Sequence, residues 1–308
     1  MKEVKWTIND IPNLSGKTII VTGGNSGLGF EAVKMFAENN AEVVLASRSQ
    51  QRGEKAKSKI SSTSNNANIK VMRLDLGDLN SIRDFADKFK KEHQRLDILL
   101  NNAGLMWCPY AITKDGFESQ MGVNHFGHFA LTGLLLETMK NTPKSRVVTV
   151  SSNGHRRALL DVEKPMFDEK NYNSSVAYFN SKLSNLLFTY ELQRKFEEYG
   201  LDILSLAAHP GGSATNLARH VEKNFWFRLL KPLFLLLAQS AEKGTLPEVR
   251  ASVDSKVKGG EYYGPRGFNE MGGYPVLVES TEDSHNLDNA KKLWELSERL
   301  TGISFNFN

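Results

Sequence analysis

The 308-residue chain is 40% hydrophobic and 24% charged, carries a formal net charge of +4, and has one cysteine, Cys108. This composition excludes collagen-like, disordered and membrane-embedded classes, and the scattered Lys and Arg give no ground for a nucleic-acid partner. A lone cysteine leaves no intramolecular disulfide and no all-cysteine metal site, so a cytoplasmic setting and no metal are expected.

Residues 1–15 are polar and mixed in charge, without the apolar run of a secretory signal or anchor. From Lys17 onward, short aliphatic runs alternate with segments of helical period. That alternation predicts an α/β fold: a Rossmann-like, doubly wound parallel sheet with helices on both faces, in a single domain over 1–308. The first strand, Lys17–Val21, leads into Thr22-Gly23-Gly24-Asn25-Ser26-Gly27-Leu28-Gly29 and a helix over Gly27–Glu38. Glycines at 23, 27 and 29 allow a sharp turn and close approach to a pyrophosphate at a helix N-terminus. Gly23, Asn25, Ser26, Gly27, Leu28 and Gly29 are therefore expected to bind a dinucleotide, although a Gly-rich turn can also be a plain tight connection.

The second strand, Glu42–Ala46, ends at Ser47-Arg48 before a helix over Gln50–Ser61. No acidic residue stands there to take the 2′-hydroxyl of NAD, whereas Arg48, with Arg52 nearby, suits a 2′-phosphate. NADP(H) is the preferred cofactor and NAD(H) the alternative; a solvated surface arginine is the plainer reading. The third strand, Ile69–Leu74, ends at Asp75-Leu76 before a helix over Leu79–Glu92. The fourth, Leu96–Leu100, ends at Asn101-Asn102-Ala103-Gly104 before a helix over Phe117–Met139. Both ends fall on the ligand-binding edge, so Ser47, Asp75, Leu76, Asn102, Ala103 and Gly104 join the expected cofactor trough. Asp75 could instead cap a helix, and the Asn-Asn-Ala-Gly stretch could be only a turn.

The fifth strand, Arg146–Val150, finishes at Ser151-Ser152, where the Ser152 hydroxyl can polarise a carbonyl. Residues 153–174 lack a clear helix or strand and form a candidate substrate lid. The next helix, Ser175–Tyr199, carries Tyr178 and Lys182 four apart on one face. An ammonium beside a phenol favours the phenolate, so Tyr178 can act as acid or base with Lys182 as its partner. Alone, that pair would usually be a surface contact.

After the strand Asp202–Ala207 the sequence changes character. A helix is expected near Ser240–Ala251, then an aromatic run at Glu261–Gly264 and a helix near Asn286–Leu300. Residues from about 210 to 308 are read as a C-terminal substrate lobe on the same sheet. The apolar stretch Phe225–Ala238 is interrupted by Arg228, Lys231 and Pro232 and is too short to span a bilayer. A lid over a lipophilic substrate is preferred there, with membrane-surface contact as the second reading.

These motifs, in this order, resemble the short-chain dehydrogenase/reductase family: Thr-Gly-x-x-x-Gly-x-Gly at 22–29, Asn-Asn-Ala-Gly at 101–104, Asn124, Ser152, Tyr178-x-x-x-Lys182 and Pro210-Gly211. Arg48, His-Phe-Gly-His-Phe at 125–129, His209 and Tyr-Tyr-Gly-Pro at 262–265 are most similar to the branch of retinol dehydrogenase, WW-domain oxidoreductase and protochlorophyllide reductase. The resemblance implies a catalytic tetrad of Asn124, Ser152, Tyr178 and Lys182, with Asn124 holding a relay water. It also implies Pro210 and Gly211 beside the nicotinamide, a small-molecule substrate, and homo-oligomers formed through two long helices. The expected reaction is hydride transfer between nicotinamide and a carbonyl or alcohol of a lipophilic aldehyde, ketone or retinoid-like molecule. The rivals are reduction of a carbon–carbon double bond and a non-catalytic NADP(H) sensor. His125 and His128 are expected in packing or cofactor-side hydrogen bonds, and Cys108 has no neighbouring base to make it a nucleophile.

Overall fold

The computed structural model describes residues 5–64, 67–212 and 239–308; the stretch Phe225–Ala238 lies outside them. Eight strands form one sheet in the order β3-β2-β1-β4-β5-β6-β7-β8. They are β1 Thr18–Thr22, β2 Glu42–Ser47, β3 Asn68–Arg73, β4 Ile98–Asn101, β5 Ser145–Val150, β6 Ile203–Ala208, β7 Tyr262–Pro265 and β8 Pro275–Leu277. All pairings are parallel except β7 with β8. The order reverses between β1 and β4, which opens a crevice at the carboxyl edge, where open α/β sheets bind ligands.

The central strands are buried on both faces, which is why they read as unbroken aliphatic runs. Ile19, Val21, Val43, Leu45, Val148 and Leu206 point to one core, and Ile20, Val44, Leu99, Val147 and Ile203 to the other. Each such side chain contributes about 1.5–3 kcal/mol by leaving water. The first core is covered by helices α1 (Gly27–Glu38) and α2 (Gln50–Ser61), together with α7 (Ala241–Val253). The second lies under α3 (Leu79–Glu92), α5 (Gly127–Lys140), α6 (Ser174–Glu198) and α8 (Leu287–Thr301). Helix starts are set by capping side chains: Ser49, Asp78, Asn173, Ser240 and Asn286 each accept amides of the first turn.

The helix expected over Phe117–Met139 is present as unbroken helical backbone from Ser119 to Lys140, but it is not α throughout. A short α4 (Ser119–Met121) passes into a π-helical turn over Gly122–Phe126 before α5 begins. Glycines allow close packing at both ends of this turn. A Cβ on Gly127 would lie 2.4 Å from the Leu76 carbonyl oxygen, and one on Gly122 would lie 2.6 Å from Thr113 Cγ2. Asn124 sits within the widened turn, a form of backbone that recurs at functional sites.

The C-terminal residues extend the sheet with β7 and also with β8, a strand that the sequence pattern did not single out. Ahead of α7, Gln239 is fastened to the end of β6: its amide donates to Gly212 O at 3.0 Å and its Nε2 to Pro210 O at 2.8 Å. The two described residues Gly212 and Gln239 are thus neighbours in space.

Candidate active site

The cofactor side of the crevice is built mostly from backbone. The Thr22 hydroxyl accepts the amides of Asn102 and Ala103, each at 2.9 Å, and Asn102 Nδ2 donates to Thr22 O at 2.7 Å. This hub locks the turn after β1 to the turn after β4. Gly23 and Gly27 have φ of +69° and +57°, the left-handed region where a side chain is strained. A Cβ on Gly29 would stand 2.5 Å from Asn102 Nδ2 and 2.6 Å from Gly23 O. The turn therefore has a shape that only glycine can give, a cradle open to a pyrophosphate over the start of α1, and it fits a dinucleotide. Leu28 is buried and its carbonyl accepts from Thr245 of α7 at 3.3 Å.

Around this turn, Asn25 Oδ1 accepts the Ser47 hydroxyl at 3.0 Å, and Arg48 and Arg52 are exposed at the rim. Asp75 Oδ1 accepts the amide of Gly77 at 3.1 Å, while Asp78 caps α3. The helix-cap alternative for Asp75 is thereby removed. Leu76 is buried against Gly127, and Gly104 approaches Asn124, where an added Cβ would be 3.2 Å from Oδ1.

The other side of the crevice is built from side chains. Tyr178 and Lys182 are buried, with 6% and 3% of their surface exposed. Burial pushes the Tyr178 phenol pKa up, against a smaller lowering from the nearby Ser152 hydroxyl. Lys182 Nζ stands 5.7 Å from the centre of the Tyr178 ring and donates to Val150 O at 2.9 Å. Burial brings the ammonium down to about 8, against an opposing pull from Glu248. Burial and Ser152 thus set the Tyr178 phenol, while the Lys182 ammonium is held by a backbone carbonyl.

Ser152 begins the 3-10 turn Asn153–Arg157, with its Oγ accepting from Gly154 N at 3.1 Å, whereas Ser151 Oγ donates to Lys182 O at 2.8 Å. Neighbouring serines therefore serve separate partners. Asn124 is fully buried. Its Nδ2 donates to Leu105 O and Ser181 Oγ, both at 2.9 Å, and its Oδ1 accepts from Leu105 N at 2.7 Å. The Asn124 side chain is consequently engaged in fixing the segment after β4.

Several contributing residues escaped the sequence reading or were left without a fixed partner. His128 joins the two sides: Nδ1 lies 3.1 Å from Asn124 O and Nε2 lies 2.9 Å from Thr22 Oγ1. Burial lowers its pKa to about 4, so it is neutral, with the proton on Nδ1 facing the carbonyl. Its place one turn after Asn124 was visible, but its partner on β1 was not. Glu248, buried on α7, has no hydrogen-bond partner for either carboxyl oxygen among the described residues, and burial pushes it up to about 8. Gly264 makes room for His209, since a Cβ there would fall 2.0 Å from its Nε2. No cluster of three or more metal-ligating side chains occurs among the described residues. None of their helices is long and apolar enough to cross a membrane.

A family model for short chain dehydrogenase matches residues 17–225. Retinol dehydrogenase 13 of Homo sapiens is 37% identical over 94% of this chain and 86% of its own length. Retinol dehydrogenase 11 of Homo sapiens is likewise 37% identical, over 94% and 87%. Among solved structures, an uncharacterized protein from Mycobacterium Paratuberculosis superposes with a TM-score of 0.82 at 38% identity, covering 98% of this chain and all of that one. The Pseudomonas aeruginosa RhlG/NADP active-site complex shares the fold at a TM-score of 0.65 and 20% identity, over 81% and 94% of the two chains. With the strand order, the glycine turn and the group of Ser152 with the buried Tyr178 and Lys182 in place, the chain belongs to the short-chain dehydrogenase/reductase family. Within it, the chain falls in the retinol dehydrogenase-like branch, as an oxidoreductase acting on CH–OH or C=O groups.

Proposed function

We propose that the protein transfers hydride between NADP(H) and a lipophilic aldehyde, ketone or retinoid-like substrate, with Ser152, Tyr178, Lys182 and Asn124 as its catalytic residues. The observation that carries this reading is the buried Tyr178 with Ser152 near its hydroxyl and the Lys182 ammonium 5.7 Å from its ring centre. When bound, NADP(H) supplies or accepts the hydride. Gly23, Asn25, Ser26, Gly27, Leu28 and Gly29 would hold its pyrophosphate, and Ser47 and Arg48 its 2′-phosphate. Asp75, Leu76, Asn102, Ala103 and Gly104 would hold the adenosine side, and Pro210 and Gly211 the nicotinamide side.

In the reductive direction Ser152 donates to the substrate carbonyl oxygen and Tyr178 gives its proton to the developing alkoxide. Lys182, freed from Val150 O, would bind the nicotinamide ribose and stabilise the phenolate left behind. Asn124 contributes through its main chain and by fixing the segment after β4. The retinoid-like class follows from the names of the 37%-identical relatives. We further read residues from about 210 as the substrate lobe, the enzyme as a cytoplasmic homo-oligomer, and membrane contact as a secondary possibility. The direct test is NADPH oxidation, followed by absorbance, against aldehydes, ketones and retinoids. Turnover with at least one carbonyl and a lower KM for NADPH than for NADH is expected; tight NADPH binding without turnover on any of them would defeat the proposal.

A further inference from the structure

Ser152 and the Pro210-Gly211 turn leave the sheet on adjacent strands, β5 and β6, and the last ladder bond between them is Ser151 N to Ala208 O at 2.8 Å. Beyond that level a third segment, the connection from β7 to β8, joins them. It folds back through Arg266 N to Tyr274 O and Gly267 N to Gly272 O. At its tip Asn269 and Glu270 have φ of +48° and +55°, two consecutive non-glycine residues in the left-handed region. Such backbone persists only where surrounding contacts over-determine it, and it clusters at sites that use it.

At this tip the Glu270 carboxylate lies between two catalytic-edge turns. Its Oε2 is 2.9 Å from His209 Nε2, off the line of an ideal hydrogen bond, and its Oε1 accepts from the Arg156 guanidinium at 3.2 Å. The His209 side chain is fully buried, and its Nδ1 accepts the Gly211 amide at 3.2 Å, which places the ring proton on Nε2 toward Glu270. Arg156 belongs to the turn that Ser152 caps. The neighbouring backbone reinforces both links: Gly212 N donates to Met271 O at 2.9 Å and Asn153 Nδ2 to Asn269 O at 3.1 Å. Two glycines leave the necessary space, since a Cβ on Gly264 would meet the His209 ring and one on Gly211 would lie 2.5 Å from Glu270 O. The other ionisable groups close by are His155, neutral and donating from Nδ1 to Ser152 O, and Tyr262, whose ring centre is 5.2 Å from that of His209.

We propose that Glu270 is a positioning residue: by bridging His209 and Arg156 it holds the Pro210-Gly211 turn and the Ser152 turn at the one spacing that hydride transfer requires. This role rests on the dehydrogenase reading above, but the bridge itself can be tested without turnover. Neither His209 nor Arg156 needs to touch substrate, because each acts through the backbone of its own turn.

The test compares the full-length wild type with Glu270→Ala, Glu270→Gln and Glu270→Asp by hydrogen exchange, by NADPH affinity, and by steady-state reduction of a carbonyl that the wild type accepts. In Glu270→Ala, amide exchange is expected to quicken about tenfold at 154–155 and 211–212 together. Its kcat should fall about tenfold, the isotope effect with 4-deuterated NADPH should rise, and the NADPH Kd should stay within twofold. Glu270→Gln, which retains an acceptor, should recover kcat to within about threefold of wild type, and the shorter Glu270→Asp should not. A kcat in Glu270→Ala within twofold of wild type overturns the proposal. So does a lower kcat with an unchanged isotope effect, because fewer folded molecules would give that result. If the wild type reduces no carbonyl, the dehydrogenase reading fails and the exchange data decide alone: joint loss of protection at the two turns supports the bridge, and loss at one or neither refutes it. If Glu270→Ala does not fold, the same readouts on Glu270→Gln and Glu270→Asp decide.

Discussion

The two sides of the crevice hold their shape by different means. On the cofactor side, the Thr22 hub, the glycine turn and Asn102 form a network of backbone bonds in which few charged groups take part. On the catalytic side, Tyr178, Lys182, Glu248 and His128 are all buried and all displaced from their ordinary pKa. The first is a matter of shape and the second of electrostatics in a poorly solvated space. Substitutions should therefore damage binding on one side and chemistry on the other.

The largest expected effect is on chemistry. Tyr178→Phe removes the proton donor and should lower kcat by about 10²–10⁴-fold with the NADPH Kd within twofold; a rate near wild type would sink the assignment of Tyr178. Next comes a pure shape change. Gly29→Ala puts a methyl 2.5 Å from Asn102 Nδ2, so NADPH affinity, measured by cofactor fluorescence, should fall tenfold or more. A variant that binds normally would mean that the cradle is not where the pyrophosphate sits. Arg48→Ala should raise the KM for NADPH about tenfold by losing a charge-assisted contact and leave that for NADH unchanged. Equal changes for both nucleotides would remove Arg48 from the 2′-phosphate.

A pH profile separates the sides further. Lys182 titrates near 8 and is charged below that value, so the reductive kcat should decline as pH rises through about 8, while the glycine cradle should bind NADPH with little change. A flat kcat from pH 6 to 9.5 would show that the ammonium is not needed. The smallest effect concerns stability. Glu248 has its pKa raised to about 8 from 4.5. An unfolded chain therefore gains free energy by ionising it above pH 4.5, and this cost to the fold grows until about pH 8. Glu248→Gln should raise Tm by several degrees at pH 8 and by much less at pH 4.5; equal gains at both values would contradict the burial of an acidic carboxyl there.

The same division explains how much could be read in advance. The glycine turn, the Asn-Asn-Ala-Gly end of β4 and the Tyr178–Lys182 spacing are local, because backbone shape and helical period are written within a few residues. The first six strands and the doubly wound parallel sheet followed from aliphatic runs that alternate with helical periods. The π-turn around Asn124 was hidden, since the helical period of 117–139 does not distinguish a π-turn from an α-turn. Glu248 reads as an ordinary helical surface residue until α7 is laid against α1 and the sheet. Glu270 sits in a Gly-rich connection whose partners, His209 and Arg156, lie far back in the chain. Arg48 and Arg52 are exposed at the rim, where composition alone could equally have placed a solvated pair.

The fastening of Gln239 to Gly212 and Pro210 bears on how such an enzyme could acquire new substrates. Gly212 and Gln239 meet through bonds of their own, so the separation of these two anchors is set by the described residues. Any segment from a relative that starts and stops at the same two residues has the same span to close. If the substrate lobe lies where we propose, exchanging the segment between the anchors should change which carbonyl is reduced while Ser152 and Tyr178 keep their roles.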